Sequence, residues 1–207
     1  MQPTDPLKMP ALTSFERESL VEIALRSIAA GLASFEDPSH PGVDPSVLSC
    51  SAQGQAIRSP RGVFVTLEID GALRGCVGTV LPLRPLADAV ARYAYAAAFE
   101  DPRFPPLVRD ELDQIDVSIS ILSPLEPVAC RDQDELLRAF IPGRHGVVLH
   151  HGEKIATYLP AVWEKIPDPR QFLESLREKA GVEPDLPNDE LRFERYEVEC
   201  VVEHRHR

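Results

Sequence analysis

The tightest constraint in the chain is the pair Asp70-Gly71, set between two β-prone runs in GVFVTLEIDGALRGCVGTV. Asp-Gly readily adopts the positive φ values of a two-residue turn, whose twist matches that of the strands on either side. Val63, Phe64, Val65, Leu67 and Ile69 supply one arm, and Ala72 to Val80 return as the other. Such a hairpin is antiparallel, which excludes a sheet built only from parallel strands and crossover helices. Regular alternation on the return arm puts Ala72, Arg74, Cys76 and Gly78 on one face. Its two glycines, Gly75 and Gly78, predict a bulge or a close backbone approach, so alternation is not a safe guide beyond Gly75.

Helical patterns flank this hairpin. In TSFERESLVEIALRSIAAGLASFE, Thr13 or Ser14 can cap and Glu16 can cap reciprocally, while Leu20, Ile23, Ala24, Ser27 and Ile28 form one stripe. The stretch from Asp37 to Pro60 is polar and reads as loop with at most short regular pieces. Leu86 to Phe99 reads as an alanine-rich helix stopped by the prolines of EDPRFPPL. Ile115, Val117, Ile119 and Ile121 alternate with polar residues as a strand, and Asp132 to Phe140 fits a short helix. A second hairpin is expected in VVLHHGEKIATYL, turning near His151-Gly152-Glu153. In PRQFLESLREKAG, Pro169 suits the first turn of a helix and Gly181 its end. The closing run LRFERYEVECVVEH places Tyr196, Val198, Cys200 and Val202 on a core face. Tyr158 and Trp163 read as packing between lobes. RGVFVTLEIDG and HGVVLHHGEKI share glycine and paired β-branched residues ahead of a turn, a faint sign of a duplicated hairpin. Hairpins with covering helices make the fold α+β, a largely antiparallel sheet covered by helices. The expected organisation is a lead-in over 1–12, one domain over 13–203 with a larger and a smaller lobe, and a tail over 204–207.

Composition removes several functions. Thirty-three acidic against 22 basic side chains give a formal charge of -11, a field that repels nucleic acid and anionic membrane surfaces. No apolar run approaches the roughly 20 residues of a membrane-spanning helix. Neither GxGxxG nor GxxxxGK is present, so neither glycine-loop mode of nucleotide binding is supported. Cys50, Cys76, Cys130 and Cys200 lack zinc-type spacing, and MQPTDPLKMP has no apolar signal core, so reduced thiols in the cytoplasm are expected. Adjacent His150 and His151 point to opposite faces of a strand, and His204 and His206 sit in a terminal HRHR run, so no metal or cofactor is expected.

Cys76 is the residue with chemical interest. A thiol becomes a nucleophile when a cation lowers its pKa and a base or access route completes the site. Arg74 stands two residues away as an anion clamp, Gly75 and Gly78 permit close approach, and His145 in PGRHG is a candidate base if the fold brings it near. The other reading is a small residue packed into a tight strand crossing, and the residues alone leave both open. In EDPRFPPL, Arg103 either faces an anion or braces Asp101.

The ordered set RGVFVTLEIDGALRGCVGT, AAAFEDPRFPPL, ELDQIDVSISILSPLEP, GRHGVVLHHGEKIATYLPAVWEKIPDPRQFLESLREKAG and RFERYEVE is similar to the AMMECR1 domain family, and to its bacterial branch called AmmeMemoRadiSam system protein A. The resemblance runs from about Phe15 to Val202. It implies one α+β domain of two lobes with RGCVG near the surface between them, a functional surface at Arg74, Gly75, Cys76 and Gly78, and association with a Memo-type protein and a radical SAM enzyme. It supplies no reaction. Two readings follow: thiol-dependent modification or group transfer by Cys76 on a small-molecule or protein substrate, and a non-catalytic adaptor. Val77 stands where the family often has isoleucine, and VEPDLPND lacks the tryptophan many members carry after KAG, so no role is carried over for that tryptophan.

Overall fold

The computed structural model describes residues 11–36, 54–129, 133–183, 186–187 and 190–203. Cys50, Cys130, His204, His206 and most of the loop expected over Asp37 to Pro60 lie outside the described residues. The described chain divides into two compact units, the first holding 11–121 with 199–203 and the second 122–198. Each is built on a four-stranded sheet.

In the first unit, helix α1 (Ser14–Glu36) opens with the reciprocal cap read from the sequence. The Glu16 amide donates to Thr13 Oγ1 at 3.2 Å and the Thr13 amide to Glu16 Oε2 at 3.0 Å. Its stripe of Leu20, Ile23, Ala24, Ser27 and Ile28 is buried. A single turn, α2 (Gln55–Arg58), precedes strand β1 (Val63–Ile69), and β2 (Ala72–Thr79) pairs with it antiparallel. Asp70 and Gly71 take φ of 53° and 74°, as the Asp-Gly turn requires. Helix α3 (Leu86–Phe99) offers small side chains, and the Ser27 hydroxyl of α1 donates 2.7 Å to its Ala91 carbonyl. Strand β3 (Asp116–Leu122) lies on the other side of β1, so the order is β2-β1-β3-β8 with β8 at Val198–Glu203. Val63, Val65 and Leu67 of β1 and Val117, Ile119 and Ile121 of β3 form the buried face.

The second unit orders its strands β4-β7-β5-β6: β4 (Glu126–Val128), β7 (Arg192–Tyr196), β5 (Gly146–His151) and β6 (Lys154–Tyr158). All its neighbours are antiparallel. Helix α4 (Gln133–Ala139) and helix α5 (Pro169–Lys179) cover it. Asp168 caps α5 by accepting from the Gln171 amide at 2.9 Å, Pro169 opens it, and Gly181 follows its end with φ 61°. Val147, Leu149, Ala156 and Phe193 meet Trp163, Phe172, Leu173 and Leu176 in one core. Trp163 stacks on Phe172 at 3.6 Å and Tyr158 meets the same ring edge-on at 5.4 Å, so both aromatics pack within this unit.

The structure corrects the final strand. The expected alternation through Tyr196, Val198, Cys200 and Val202 breaks at Glu197, where β7 ends and the chain passes to the other sheet as β8. One residue outside the strands inverts the parity that follows. Val201 is therefore the buried residue, while Cys200 and Val202 are exposed.

Candidate functional site

The glycines of β2 predicted an irregularity, and it falls at Arg74. Leu67 opposes Gly75 and Glu68 opposes Leu73, so Arg74 is the extra residue of a β-bulge. Beyond it Val77 opposes Val65 on the buried face and Cys76 opposes Thr66 on the other. Gly75 belongs to the buried face because a Cβ there would lie 2.0 Å from the Ala97 carbonyl of α3. At Gly78 a Cβ would meet the Val63 carbonyl at 2.3 Å. Both glycines thus admit the chain's own backbone.

The bulge turns Arg74 inward, where it is 9% exposed. Its Nε and Nη2 donate to the two oxygens of Glu111 at 2.8 and 2.9 Å, a bidentate pair that closes the loop running from α3 to β3. This pairing holds the Glu111 carboxyl below its ordinary range against the opposing effect of burial. The Arg74 guanidinium stands 5.9 Å from the centre of the Phe104 ring, and that of Arg103 stands 5.6 Å from the same centre.

Cys76 is half-buried on the opposite face. The Thr66 hydroxyl donates to its Sγ at 3.3 Å across the strand pair. Its backbone is held from the loop after α3, for the Cys76 amide donates to Asp101 Oδ2 at 2.8 Å and Arg103 Nη2 donates to the Cys76 carbonyl at 3.1 Å. Arg103 also donates to Asp101 through Nε at 2.9 Å and Nη2 at 2.6 Å. The bracing reading of Arg103 is therefore realised, while its side chain remains 54% exposed. The Arg103 guanidinium beside Asp101 holds that carboxyl far below the usual range, opposed by burial and helped by the Cys76 amide. The Asp101 carboxylate in turn keeps Arg103 firmly protonated, with the Cys76 side chain adding to the effect.

Farther along the same face, Thr66 opposes Ser118, whose hydroxyl is 3.3 Å from Cys200 Sγ. Thiol, hydroxyl, hydroxyl and thiol thus form a row across the four strands. Sequence reasoning missed Thr66, Asp101 and Glu111 as members of this site. Asp101 alone had a signal, its place in the rigid EDPRFPPL, and Thr66 and Glu111 had none, because the partners of all three lie 10 to 37 residues away.

His145 belongs to the second unit and is 3% exposed. The Ile141 amide donates to its Nδ1 at 3.1 Å, and the Trp163 indole donates to its carbonyl at 2.7 Å, so within that unit it braces the turn ahead of β5. Burial, with Arg195 and Arg144 adding to it, pushes its pKa down, leaving a neutral ring whose proton sits on Nε2.

Among the described residues no helix is long and apolar enough to cross a membrane, and no three His, Cys, Asp or Glu side chains group to hold a metal ion. Two helix-covered antiparallel sheets, one carrying a bulged RGCVG edge strand, define an α+β protein of the AMMECR1 type. The chain belongs to the AMMECR1 family, whose model matches residues 21–201. A protein of Methanothermobacter thermautotrophicus is 36% identical over 203 residues, covering 95% of this chain and 99% of its own. A protein of Methanosarcina barkeri is 35% identical over 175 residues, with 84% and 83% covered. The crystal structure of an uncharacterized protein from Pyrococcus horikoshii matches with a TM-score of 0.77 at 28% identity, over 91% of this chain and 92% of that one. The relatives are predominantly archaeal, which overturns the narrower placement in the bacterial system-protein branch.

Proposed function

We propose that the face of β2 at Cys76 is a recognition surface for a carboxylate or phosphate group, with Arg103 as its binding side chain and Phe104 beside it. The observation that carries this reading is that Arg103 is fixed by Asp101 and the Cys76 carbonyl yet stays 54% exposed. A guanidinium already ordered by its own unit loses little freedom when it takes an anion. Arg74 serves from beneath, its Nε and Nη2 committed to Glu111 and its buried Nη1 without a hydrogen-bond partner among the described residues. Titrating inorganic phosphate and acetate into the protein by NMR tests the reading. Saturable shifts at Arg103 and Cys76, lost in Arg103→Ala, are expected. Shifts that do not saturate, or that persist in the variant, overturn it.

A second reading makes Cys76 a nucleophile, and one contact favours it: the Thr66 hydroxyl at 3.3 Å would stabilise negative charge on the sulfur. Cys200 provides an internal comparison, being more exposed on the same sheet face with a hydroxyl of its own. Under iodoacetamide, with sites resolved by mass spectrometry, Cys76 should alkylate faster than Cys200 despite its lower exposure. Thr66→Val should slow it by about tenfold, what one charge-assisted hydrogen bond is worth. If Cys200 reacts first, the thiol reading fails and a non-catalytic adaptor surface is left. No step is assigned to His145, whose Nδ1 is taken by its own turn. The Memo-type and radical SAM partners implied by the bacterial-branch resemblance lose that support, and the reading rests on the surface alone.

A further inference from the structure

Among the described residues β2 is an edge strand, since its sheet runs β2-β1-β3-β8. An edge presents unpaired N–H and C=O groups in a row, a ready template for another chain. In an antiparallel ladder alternate residues turn both backbone groups away from the partner strand. Cys76 is such a residue, for its amide and carbonyl are occupied from outside the sheet, by Asp101 Oδ2 at 2.8 Å and Arg103 Nη2 at 3.1 Å. A neighbouring strand would offer one acceptor and one donor at this position. The carboxylate and the guanidinium offer the same two, and they are bonded to each other at 2.6 and 2.9 Å.

We propose that Asp101 and Arg103 act together as a surrogate strand, capping the open edge of β2 and keeping it from pairing with a second copy of this chain. The cap is built rather than incidental. Asp101 is 5% exposed and receives further bonds from Arg103, whose amide reaches Oδ1 at 3.1 Å. The loop is pinned by the Phe104 amide on the Asp101 carbonyl at 3.1 Å and the Leu107 amide on the Ala98 carbonyl at 2.9 Å, and prolines 102, 105 and 106 stiffen it. The excluded occupant is this strand's own twin, because antiparallel pairing about a twofold axis makes an edge complementary to itself. Capping the middle of an eight-residue strand interrupts any such ladder. Alternation places the Gly78 amide on the same edge, and it carries no such cap among the described residues. The Asp101 carboxyl stays ionised well into acid, so the cap persists there.

Hydrogen exchange and sedimentation together test this without any ligand, so their outcome is independent of the anion and thiol readings. In the wild-type protein the Cys76 amide should exchange far more slowly than that of Gly78, and Asp101→Ala should accelerate Cys76 by about tenfold to a hundredfold, the value of a hydrogen bond to a charged group. The same variant should form concentration-dependent dimers that the wild type does not. Equal exchange at Cys76 and Gly78 in the wild type, or a folded Asp101→Ala protein with no gain in association, overturns the proposal. Should Asp101→Ala not fold, Arg103→Ala removes only the carbonyl half of the cap from an exposed position. It should raise dimerisation more modestly, and association equal to wild type would again overturn the idea.

Discussion

The two hairpins start from similar sequence and end differently. β1 and β2 turn on Asp70-Gly71 with positive φ at both central residues, whereas β5 and β6 turn on Gly152-Glu153 with positive φ only at Gly152. The second ladder then runs in regular register from His151 opposite Lys154 to Val147 opposite Tyr158. The first slips by one residue at Arg74. That slip separates an inward arginine from an outward cysteine two positions on, where a regular strand would have put them side by side. A single inserted residue is therefore what makes one hairpin a structural arm and the other a candidate site.

Glycine substitutions should break this comparison most sharply. Gly75→Ala drives a Cβ to 2.0 Å from the backbone carbonyl of Ala97, which no rotamer can relieve, so strand or helix must shift. A loss of about 3 kcal/mol or more in urea unfolding followed by circular dichroism is expected. Gly152→Ala meets nothing within 4 Å and pays only for φ 58°, which should amount to about 1 kcal/mol. Equal losses at the two sites would show that the bulged hairpin is no more tightly built than the regular one.

Arg74→Ala should have the next effect, about 2 to 3 kcal/mol, since it strands a three-quarters buried carboxylate. Its pH dependence sharpens the point. Glu111 is depressed in the folded state below its reference of 4.5, so its pairing contributes stability above that pH and loses it as pH falls through the folded value. The wild type should therefore lose more stability than Arg74→Ala on acidification below about pH 4.5. Deleting Arg74 removes the bulge along with the charge, and comparing the two variants separates the pair from the irregularity. The smallest effect should be at the thiol, where Cys76→Ser keeps a small polar residue beside Thr66 and should alter stability by about 1 kcal/mol or less.

Much of this fold is local and so was readable. The Asp-Gly turn, the Thr13–Glu16 cap, the helix over Leu86–Phe99 and the Pro169 and Gly181 ends of α5 depend on residues within a few positions of one another. The site depends on partners that spacing does not reveal. Glu111 reaches Arg74 from 37 residues away, Asp101 reaches Cys76 from 25, and the break at Glu197 reverses which residues of β8 are buried. Alternation predicts faces only while the register is unbroken, and both errors arose where one residue fell out of it.

The chain has one tryptophan, and it is enclosed beside Phe172 in the second unit. Indole emission will therefore report the melting of that unit. A fluorescence melt that overlays one followed by circular dichroism would mean the two sheets unfold as a single cooperative body. A fluorescence curve that departs from it would give each sheet its own stability, with the unit that carries Cys76 followed through the backbone signal.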